Sequence, residues 1–217
     1  MSDASDQSDP TRMSYNRVAG EYARRMNDEL DHKPLDRELL DAFGASAHGL
    51  ICDLGCGPGH AAAYLRQRGA DVVGVDLSDA MVEQARLLHP EIRFLQADMR
   101  RLPFEDASLA GVVALYSLIH LAPAEIPAAL RELRRVLRPG GALLVSFHCG
   151  EETRHFDEWW GERVNLDFHF FTPQHMRDWL TTTGFTDIQM TERQPYPEVE
   201  VQTQRAYILA HAPAGRE

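Results

Sequence analysis

Short apolar runs alternate with helix-like patterns along the middle of the chain. Each apolar run has the length of one buried strand, and the segments between the runs repeat their apolar residues at helical spacing. The predicted strands begin at residue 50 and cover residues 71–75, 92–96, 109–115 and 142–147, and the predicted helices cover residues 60–67, 79–88 and 124–137. This alternation predicts an α/β protein whose parallel sheet is doubly wound, with helices on both faces.

The segment before the first strand is predicted to start with a tail and to continue with two helices. Residues 1–10 are rich in Ser and Asp and contain almost nothing to bury, so we expect them to be disordered. Apolar and aromatic residues then recur at helical spacing, and a second helix is predicted from Pro34 to a stop at Gly44. Residues 11–48 are therefore predicted to be an N-terminal helical region.

The pattern changes after the fifth strand. Residues 154–160 mix aromatic and charged side chains, and residues 164–170 alternate strictly between apolar and polar, which predicts an extra strand. The segment 149–171 is either a small satellite core beneath a long loop or a cover for the substrate, and we favour the cover because long loops in compact domains are usually functional. The chain then continues with a helix over 173–182 and two closing strands, 185–192 and 203–210. A Pro-rich loop joins the two strands and could reach the site that segment 149–171 would cover.

Length, charge and cysteine usage narrow the classes of protein that fit. With 217 residues, the chain is predicted to form one domain over residues 11–217. Its net charge of −11 argues against nucleic acid as a partner, because proteins that bind it usually present a basic surface. Three cysteines without a disulfide framework favour the reducing cytoplasm, and no apolar run is long enough to span a membrane. None of the ten histidines is paired at ligand spacing, so no metal site is predicted.

Three alternating glycines join the first strand to its helix: Gly55, Gly57 and Gly59. Glycine allows positive φ in a tight turn and, with no Cβ, lets a ligand lie against backbone N–H groups. The second strand ends in Asp76, and an acidic residue in that position can accept hydrogen bonds from both hydroxyls of a ribose. The spacing differs from the dinucleotide pattern, because the third glycine of that pattern would fall on His60.

Further polar or aromatic residues follow the other strands. Asp98 comes after the third strand beside Ala97 and Met99, which suits an adenine with one amino group to bond and two faces to cover. Tyr116 follows the fourth strand, and His148 ends the fifth. Ligands of open α/β sheets lie at the carboxyl ends of the strands, so these residues are predicted to surround one site.

Four motifs occur in order at compatible spacing: D-L-G-C-G-P-G at 53–59, V-V-G-V-D-L-S at 72–78, Q-A-D-M at 96–99 and R-P-G-G at 138–141. They resemble the successive motifs of class I S-adenosylmethionine-dependent methyltransferases, of the small-molecule type of methyltransferase types 11 and 25, and the resemblance covers roughly residues 13–148. It implies a Rossmann-like sheet of seven mostly parallel strands that ends in an antiparallel hairpin. It also implies S-adenosylmethionine as the cofactor, bound across the first strands, with S-adenosylhomocysteine as the product.

The resemblance implies roles for residues of this chain. The glycine loop would hold the methionine part of the cofactor, Asp76 the ribose and Asp98 the adenine amino group, while Asp53 would orient the loop and the cofactor's ammonium. The segment Y-N-R-V-A-G-E-Y resembles the part that folds over the cofactor in many small-molecule methyltransferases, although its two tyrosines would fit equally well in the core. The cofactor-binding residues implied in this way are Tyr15, Tyr22, Asp53, Gly55, Cys56, Gly57, Gly59, Asp76, Leu77, Met81, Ala97, Asp98, Met99, Leu115 and Tyr116.

Methyl transfer is an in-line displacement at a carbon that the positive sulfur already activates. Alignment of two reactants can contribute about 7–11 kcal/mol, more than a single general base, so a base is optional. If one is used, it must lie near the ends of the fourth and fifth strands, where the catalytic candidates are Tyr116, His120 and His148. His120 is equally a candidate for packing or for orienting the cofactor.

The leading hypothesis is a methyltransferase that acts on an oxygen, nitrogen or carbon atom of a small acceptor, with aromatic and carboxylate-bearing molecules as the candidates. Its substrate-side candidates are Phe156, Trp159, Trp160, Phe170 and Arg205, the last either pairing with a carboxylate or lying on the surface.

Two alternatives stay open. One is a methyltransferase of protein or transfer RNA, but Leu115-Tyr116-Ser117-Leu118 stands where many enzymes that methylate nucleic-acid amino groups carry N-P-P-Y or D-P-P-Y. The other is a non-catalytic cofactor-binding subunit or regulator, which would keep the same glycine loop. The expected partner is a small-molecule methyl acceptor, with no nucleic acid and no membrane, and the chain is expected to be a monomer or a homodimer.

Overall fold

The computed structural model describes residues 9–215 of the chain. Its helices are α1 (Pro10–Met26), α2 (Pro34–Ser46), α3 (His60–Gln67), α4 (Asp79–Leu88), α5 (Ile126–Val136) and α6 (Pro173–Thr182). Its strands are β1 (Leu50–Leu54), β2 (Asp71–Asp76), β3 (Arg93–Gln96), β4 (Leu109–Leu115), β5 (Leu137–His148), β6 (Thr153–Trp159), β7 (Glu162–His169), β8 (Thr186–Arg193) and β9 (Arg205–His211).

Seven strands form one sheet in the order β3-β2-β1-β4-β5-β9-β8, and β6 pairs with β7 in a separate hairpin. Strands β1 to β5 are parallel, whereas β9 runs antiparallel to both β5 and β8. The predicted doubly wound sheet with a closing antiparallel hairpin is therefore confirmed.

Apolar side chains cover both faces of the sheet. One layer joins α5 and α6 to the sheet through buried residues such as Leu130 and Met176. The other layer joins α2 and α3 to the opposite face through residues such as Leu40 and Leu65. Because helices cover both faces, β4 is buried along almost its whole length and shows no alternation of polar and apolar residues. Within residues 9–215 we find no helical stretch with the length and apolar composition of a membrane span.

Two predicted boundaries need correction. Helix α2 continues past Gly44 to Ser46, so the predicted stop at this glycine is wrong. A Cβ on Gly44 would lie 3.3 Å from a side-chain atom of Leu65, so the missing Cβ serves close packing against α3. Of the predicted tail, residues 1–8 lie outside the described part of the chain, whereas Asp9 caps α1 and Pro10 is its first residue.

The segment 149–171 contains a β-hairpin that packs on the first helix. Strand β6 was not predicted, because nearly all of its residues are exposed and it lacks the alternation of a half-buried strand. Leu166 of β7 is buried against Val18 of α1. The Ser14 hydroxyl accepts the N–H of Asn165 at 2.8 Å and so fixes the helix against the hairpin.

Candidate active site

A cavity of about 800 Å³ lies at the carboxyl ends of the parallel strands. The loops after β1, β2 and β4 and the end of β5 form its floor, because the ends of neighbouring parallel strands meet at one edge of the sheet. Helix α1, the 3₁₀ helix Glu29–His32 and the hairpin β6–β7 line the other side. The cavity therefore lies between backbone loops and a set of largely aromatic side chains.

The glycine loop lies close to the neighbouring loop after β4. Gly55, Gly57 and Gly59 have φ values of +68°, +53° and +88°. A Cβ on Gly55 would come 2.3 Å from the Cβ of Ser117, closer than two such atoms can approach. Gly55 and Gly57 line the cavity. Gly59 does not, because it is the residue that precedes α3 and its missing Cβ makes room for the Phe94 ring.

Two carboxylates of the cavity wall, the half-buried Asp76 and the buried Asp53, hold this loop and the helix that follows it. Asp76 accepts the N–H of Gly57 through Oδ2 and that of Ser78 through Oδ1, at 2.8 Å each. Asp53 accepts the N–H of Ala62 in the first turn of α3, at 2.9 Å. Burial raises the pKa of each carboxyl to about 6. Both are therefore ionised at neutral pH and placed to accept further hydrogen bonds from a ligand.

The residues after β3 form one end of the cavity. Ala97, Asp98 and Met99 all border it. Arg100, which the sequence analysis did not single out, binds Asp98 with its Nε 3.0 Å from both carboxylate oxygens. This end combines apolar surface with a fixed hydrogen-bond acceptor, which is the combination that a flat base with an amino group requires.

Aromatic side chains lie over one side of the cavity. We call this set the aromatic cover, and it consists of Tyr15, Tyr22, His120, Trp159 and Phe168. Tyr15 and Tyr22 of α1 contact Trp159 of the hairpin edge-on, with ring centroids 5.9 and 5.8 Å apart. The Tyr15 hydroxyl lies 2.7 Å from Nε2 of His120, whose ring packs on Phe168 at 4.8 Å between centroids. The first helix, the hairpin and the loop after β4 thus meet over the cavity.

His120 is neutral, and both of its ring nitrogens have partners. Burial lowers its pKa to about 4. Its Nδ1 lies 3.3 Å from the carbonyl oxygen of Asp167, which can only accept, so the proton is on Nδ1. Nε2 must then accept the hydroxyl proton of Tyr15. This arrangement fits the packing role predicted for His120 better than the role of a general base.

The substrate-side candidates divide into two groups. Trp159 and Arg205 line the cavity, and the other three lie outside its wall. Phe156 is 41% exposed on β6. Trp160 packs behind Trp159, with ring centroids 4.6 Å apart, and Phe170 stacks on the ring of His148 at 5.1 Å. Trp160 and Phe170 therefore support rings of the cavity wall without reaching the cavity themselves.

A buried ionic wall, which we define as Lys33, Asp36, Arg193, Glu200 and Arg205, completes the site. Arg193 binds both oxygens of Glu200 at 2.7 and 2.8 Å, while Lys33 and Arg205 lie 3.3 and 3.2 Å from the same carboxylate. Burial alone would raise the pKa of Glu200, but the Arg193 hydrogen bonds and the Lys33 charge lower it to about 2. At Asp36 burial prevails, and its pKa is raised.

Most residues of the ionic wall were not predicted from the sequence. Lys33 and Asp36 lie at the start of α2, where isolated charges next to a proline are indistinguishable from surface residues. The Pro-rich loop between the closing strands was predicted to reach the site, and Glu200 of that segment borders the cavity. Arg205 was predicted either to pair with a substrate carboxylate or to lie on the surface. It is buried at the edge of the cavity rather than on the surface, and its Nη1 donates to the carbonyl oxygens of Val201 and Thr203, at 2.9 and 2.7 Å.

Comparison with known proteins places this fold and site in a family. A family profile described as a methyltransferase domain matches residues 51–141, from β1 into β5. The chain carries a class I S-adenosylmethionine-dependent methyltransferase domain. The methyltransferase domain of this chain thus includes the glycine loop, Asp76 and Asp98, as the resemblance of the four motifs implied.

Curated relatives match half or more of the chain. A demethylmenaquinone methyltransferase of Beutenbergia cavernae is 40% identical over 110 residues, which are 51% of this chain and 45% of that protein. A carboxy-S-adenosyl-L-methionine synthase of Aliivibrio fischeri is 32% identical over 159 residues, which are 69% of this chain and 60% of that protein. The chain therefore spans about half the length of the curated relatives it matches.

A solved structure extends the likeness in fold over nearly the whole chain. The 1,6-didemethyltoxoflavin-N1-methyltransferase of Burkholderia thailandensis, which was crystallised with S-adenosylhomocysteine, gives a TM-score of 0.72 at 20% identity. The match covers 98% of this chain and 92% of that one. At this identity the comparison speaks for the fold alone.

The cavity of the methyltransferase domain fits S-adenosylmethionine, the cofactor of this class. Ser117 contributes a buried hydroxyl oxygen without a hydrogen-bond partner among the described residues, and it borders the cavity beside the bare backbone of Gly55. The predicted cofactor residues that line the cavity are Tyr15, Tyr22, Asp53, Gly55, Cys56, Gly57, Asp76, Leu77, Met81, Ala97, Asp98, Met99, Leu115 and Tyr116. Gly59 is the exception, and its part in the structure is packing.

Proposed function

We propose that the chain is a methyltransferase that passes the methyl group of S-adenosylmethionine to a small acceptor inside this cavity. The observation that supports this most strongly is that one cavity joins the cofactor residues to a separate polar wall. The bound cofactor supplies an electrophilic methyl group on a positive sulfur. The residues of the chain align the two reactants and exclude water, and such alignment contributes about 7–11 kcal/mol.

The cofactor end follows from the carboxylates of the cavity wall and the glycine loop. Asp76 would accept the ribose hydroxyls, Asp98 the adenine amino group, and Asp53 with the loop would hold the methionine part. Because Asp76 also accepts the N–H of Gly57, a ribose bound to Asp76 would lie on a loop that is already fixed. The ligand therefore meets a site that needs little rearrangement.

The acceptor end is formed by the ionic wall and the aromatic cover. Lys33 and Arg205 lie over the ring of Tyr116, with their charged atoms 5.2 and 5.8 Å from its centroid. The ring of His148 lies on the same tyrosine, at 5.2 Å between centroids. Both cations already lie within 3.3 Å of Glu200, so an acceptor carboxylate would share them with that residue. The phenol and the aromatic faces suit a polar aromatic ring. Together these groups support a small acceptor that is aromatic, carboxylate-bearing or both.

The test is a transfer assay with S-adenosylmethionine labelled in its methyl group. The acceptors are a panel of small aromatic compounds with hydroxyl, amino or carboxyl groups, and bulk protein and transfer RNA are added as separate arms. We expect label to pass to at least one small aromatic compound, with release of S-adenosylhomocysteine. Transfer only to protein or RNA would contradict a small-molecule acceptor, and cofactor binding without transfer to any arm would favour a non-catalytic subunit.

The affinity for S-adenosylhomocysteine is expected to rise by at least about tenfold between about pH 5 and pH 7. The pKa of Asp76 is about 6 in the free protein, and ribose hydroxyls that donate to its ionised form would lower that pKa in the complex. Protonation of Asp76 therefore competes with binding, and the competition ends as the pH rises above its pKa. Asp53, whose pKa is also about 6, contributes with the same sign. Calorimetry across this range gives the slope, and an affinity that falls with rising pH would refute the assignment.

Removal of the Ser14 hydroxyl is expected to speed the dissociation of S-adenosylhomocysteine about three- to tenfold. Ser14 accepts the N–H of Asn165 and so ties α1 to the hairpin, and one such hydrogen bond contributes about 0.5–1.5 kcal/mol. Stopped-flow measurement of tryptophan fluorescence, to which Trp159 of the cavity wall contributes, reports the rate in Ser14→Ala. Ser46→Ala is the matched control, since the Ser46 hydroxyl donates only to Phe43 at the end of α2. Equal rates in both variants would mean that the cover does not have to open for release.

A further inference from the structure

A chain of hydrogen bonds runs from the cavity wall into the protein interior. The hydroxyls of Tyr116 and Tyr207 are 3.0 Å apart, and the Tyr207 hydroxyl donates to Oδ2 of Asp36 at 2.9 Å. Tyr116 follows β4, Tyr207 lies in β9 and Asp36 in α2, so three distant segments of the sequence meet here. Tyr116 and Asp36 border the cavity, whereas Tyr207 is 2% exposed and is not part of the cavity wall.

The direction of this chain follows from its donors and acceptors. The Tyr207 hydroxyl has one proton and gives it to Asp36, whose carboxylate can only accept. Arg193 donates to the same phenol oxygen from Nε at 3.1 Å and from Nη2 at 2.7 Å, so Tyr207 is an acceptor toward its other neighbours. Tyr116 must therefore donate to Tyr207. The oxygen of Tyr116 then keeps a lone pair for a proton donor in the cavity.

The backbone of Tyr116 is held in an unusual conformation. Its φ is +51°, a region that few residues other than glycine adopt. Its N–H donates to both the carbonyl and the hydroxyl oxygen of Ser146, at 3.1 Å each. Such strain persists where the surroundings fix a residue, and it is concentrated at functional sites. The placement of this phenol at the cavity is therefore maintained against its own backbone preference.

The two histidines of the site, His120 and His148, are poorer proton acceptors than the carboxylate of Asp36. Burial lowers the pKa of His148 to about 4, with a further contribution from the charge of Arg205, and burial lowers that of His120 to a similar value of about 4. His148 is also fixed through Nδ1 to the hydroxyl of Thr203, at 2.8 Å. Burial acts in the opposite sense on the carboxylate of Asp36, which binds a proton more readily than an exposed carboxylate does.

We infer that Tyr116, Tyr207 and Asp36 form a proton relay that removes the proton of an un-ionised phenolic acceptor during methyl transfer. The inference rests on the proposed function and names the acceptor class of the same site. A relay is useful only if the acceptor loses a proton on methylation, which a hydroxyl does. The aromatic cover lies against the same cavity and would pack on the ring that carries this hydroxyl.

The atoms and charges of the step balance. The acceptor oxygen forms a bond to the methyl carbon as the carbon–sulfur bond breaks, and the electron pair of that bond stays on sulfur. The hydroxyl proton passes to Tyr116, the proton of Tyr116 to Tyr207, and the proton of Tyr207 to Asp36. The products are a methyl ether, a neutral thioether and a protonated carboxyl. Neither tyrosine becomes a phenolate, which agrees with the raised pKa that burial gives both phenols.

The experiment compares two carboxylate-bearing phenols that differ in ionisation. At about pH 8 the hydroxyl of 4-hydroxybenzoate is un-ionised, as in a tyrosine, whereas 3-nitro-4-hydroxybenzoate is largely ionised and has no proton to lose. Tyr207→Phe and Asp36→Asn are each expected to lower kcat for 4-hydroxybenzoate about 100-fold, the usual share of a general base. The same variants should change kcat for the nitro compound by less than about threefold.

Cofactor affinity and a control variant separate this relay from a structural role. The affinity for S-adenosylhomocysteine should stay within about twofold of the natural protein in each variant, and Tyr116→Phe breaks the relay at a second point if Tyr207→Phe is unstable. Tyr64→Phe, which removes a phenol hydroxyl from α3 outside the cavity, should leave turnover of both compounds unchanged.

Four results would contradict either the relay or the proposed function on which it rests. Equal losses with both phenols would mean a structural role. If Asp36→Asn lowered kcat for 4-hydroxybenzoate while Tyr207→Phe left it unchanged, Asp36 would accept the proton without Tyr207. Binding of S-adenosylhomocysteine without turnover of either phenol by the natural protein would refute the phenolic acceptor while leaving the wider panel to test methyl transfer. Failure of the folded natural protein to bind S-adenosylhomocysteine would refute the proposed function itself.

Discussion

The Asp76→Ala variant is expected to bind S-adenosylhomocysteine at least about 100-fold more weakly than the natural protein. Two ribose hydroxyls would donate to this carboxylate, and hydrogen bonds to a charged group are worth about 1.5–3 kcal/mol each. The variant also removes the acceptor of the Gly57 N–H, so the glycine loop loses a contact that fixes it before the ligand arrives. Calorimetry with purified protein measures the change directly.

Asp71→Ala is the matched control for this prediction. Asp71 is the first residue of the same strand, is exposed and lies outside the cavity, so its loss should change affinity by less than about twofold. Unfolding curves for both variants show whether each is folded under the binding conditions. Normal binding by a folded Asp76→Ala protein would mean that the ribose is held elsewhere.

The Gly55→Ala variant is expected to lose about 2–5 kcal/mol of unfolding free energy and to bind the cofactor poorly. The left-handed conformation, with φ of +68°, costs a residue with a Cβ about 1–2 kcal/mol. The new methyl group would also lie 2.3 Å from the Cβ of Ser117, and overpacking of this kind costs about 1–3 kcal/mol. Relief of the clash would push the glycine loop away from the loop after β4, which carries Tyr116. Chemical denaturation and calorimetry measure the two effects.

Gly69→Ala separates conformational cost from steric cost. Gly69 has a similar φ of +87°, but nothing lies within 4 Å of the position that its Cβ would occupy. Its loss of unfolding free energy should therefore be limited to about 1–2 kcal/mol, with cofactor binding retained. If the two variants lose equal stability, the contact between Gly55 and Ser117 is relaxed without cost and the argument from close approach fails.

The family profile covers the cofactor end of the cavity but little of the proposed acceptor end. The family profile covers residues 51–141, which contain the glycine loop, Asp76 and Asp98. Much of the proposed acceptor end lies outside this range, in α1, α2, the hairpin and β9. The matched curated proteins carry names as different as a demethylmenaquinone methyltransferase and a carboxy-S-adenosyl-L-methionine synthase. These names do not point to one acceptor, so the acceptor class is inferred from the contacts within this chain.

The sequence by itself determined the sheet and the place of the cofactor end. Strand and helix periods are local, and the ends of parallel strands must meet at one edge, so residues after successive strands converge whatever the side-chain packing is. That is why Asp53, Asp76 and Asp98 all border one cavity, as predicted. The position of the glycine loop at the cavity was also predicted from the sequence. Gly59 is the exception, because it packs against Phe94 and does not border the cavity.

Only the tertiary structure decided the cover and the acceptor end. Asp36 and Tyr207 are 171 positions apart in sequence, and their hydrogen bond depends on how α2 packs against the end of the sheet. The docking of α1 on the hairpin likewise joins Ser14 to Asn165 across 151 positions. No local pattern encodes such pairs, because each partner alone resembles an ordinary tyrosine, serine or surface charge. Their chemistry arises when packing removes water and places them within hydrogen-bonding distance.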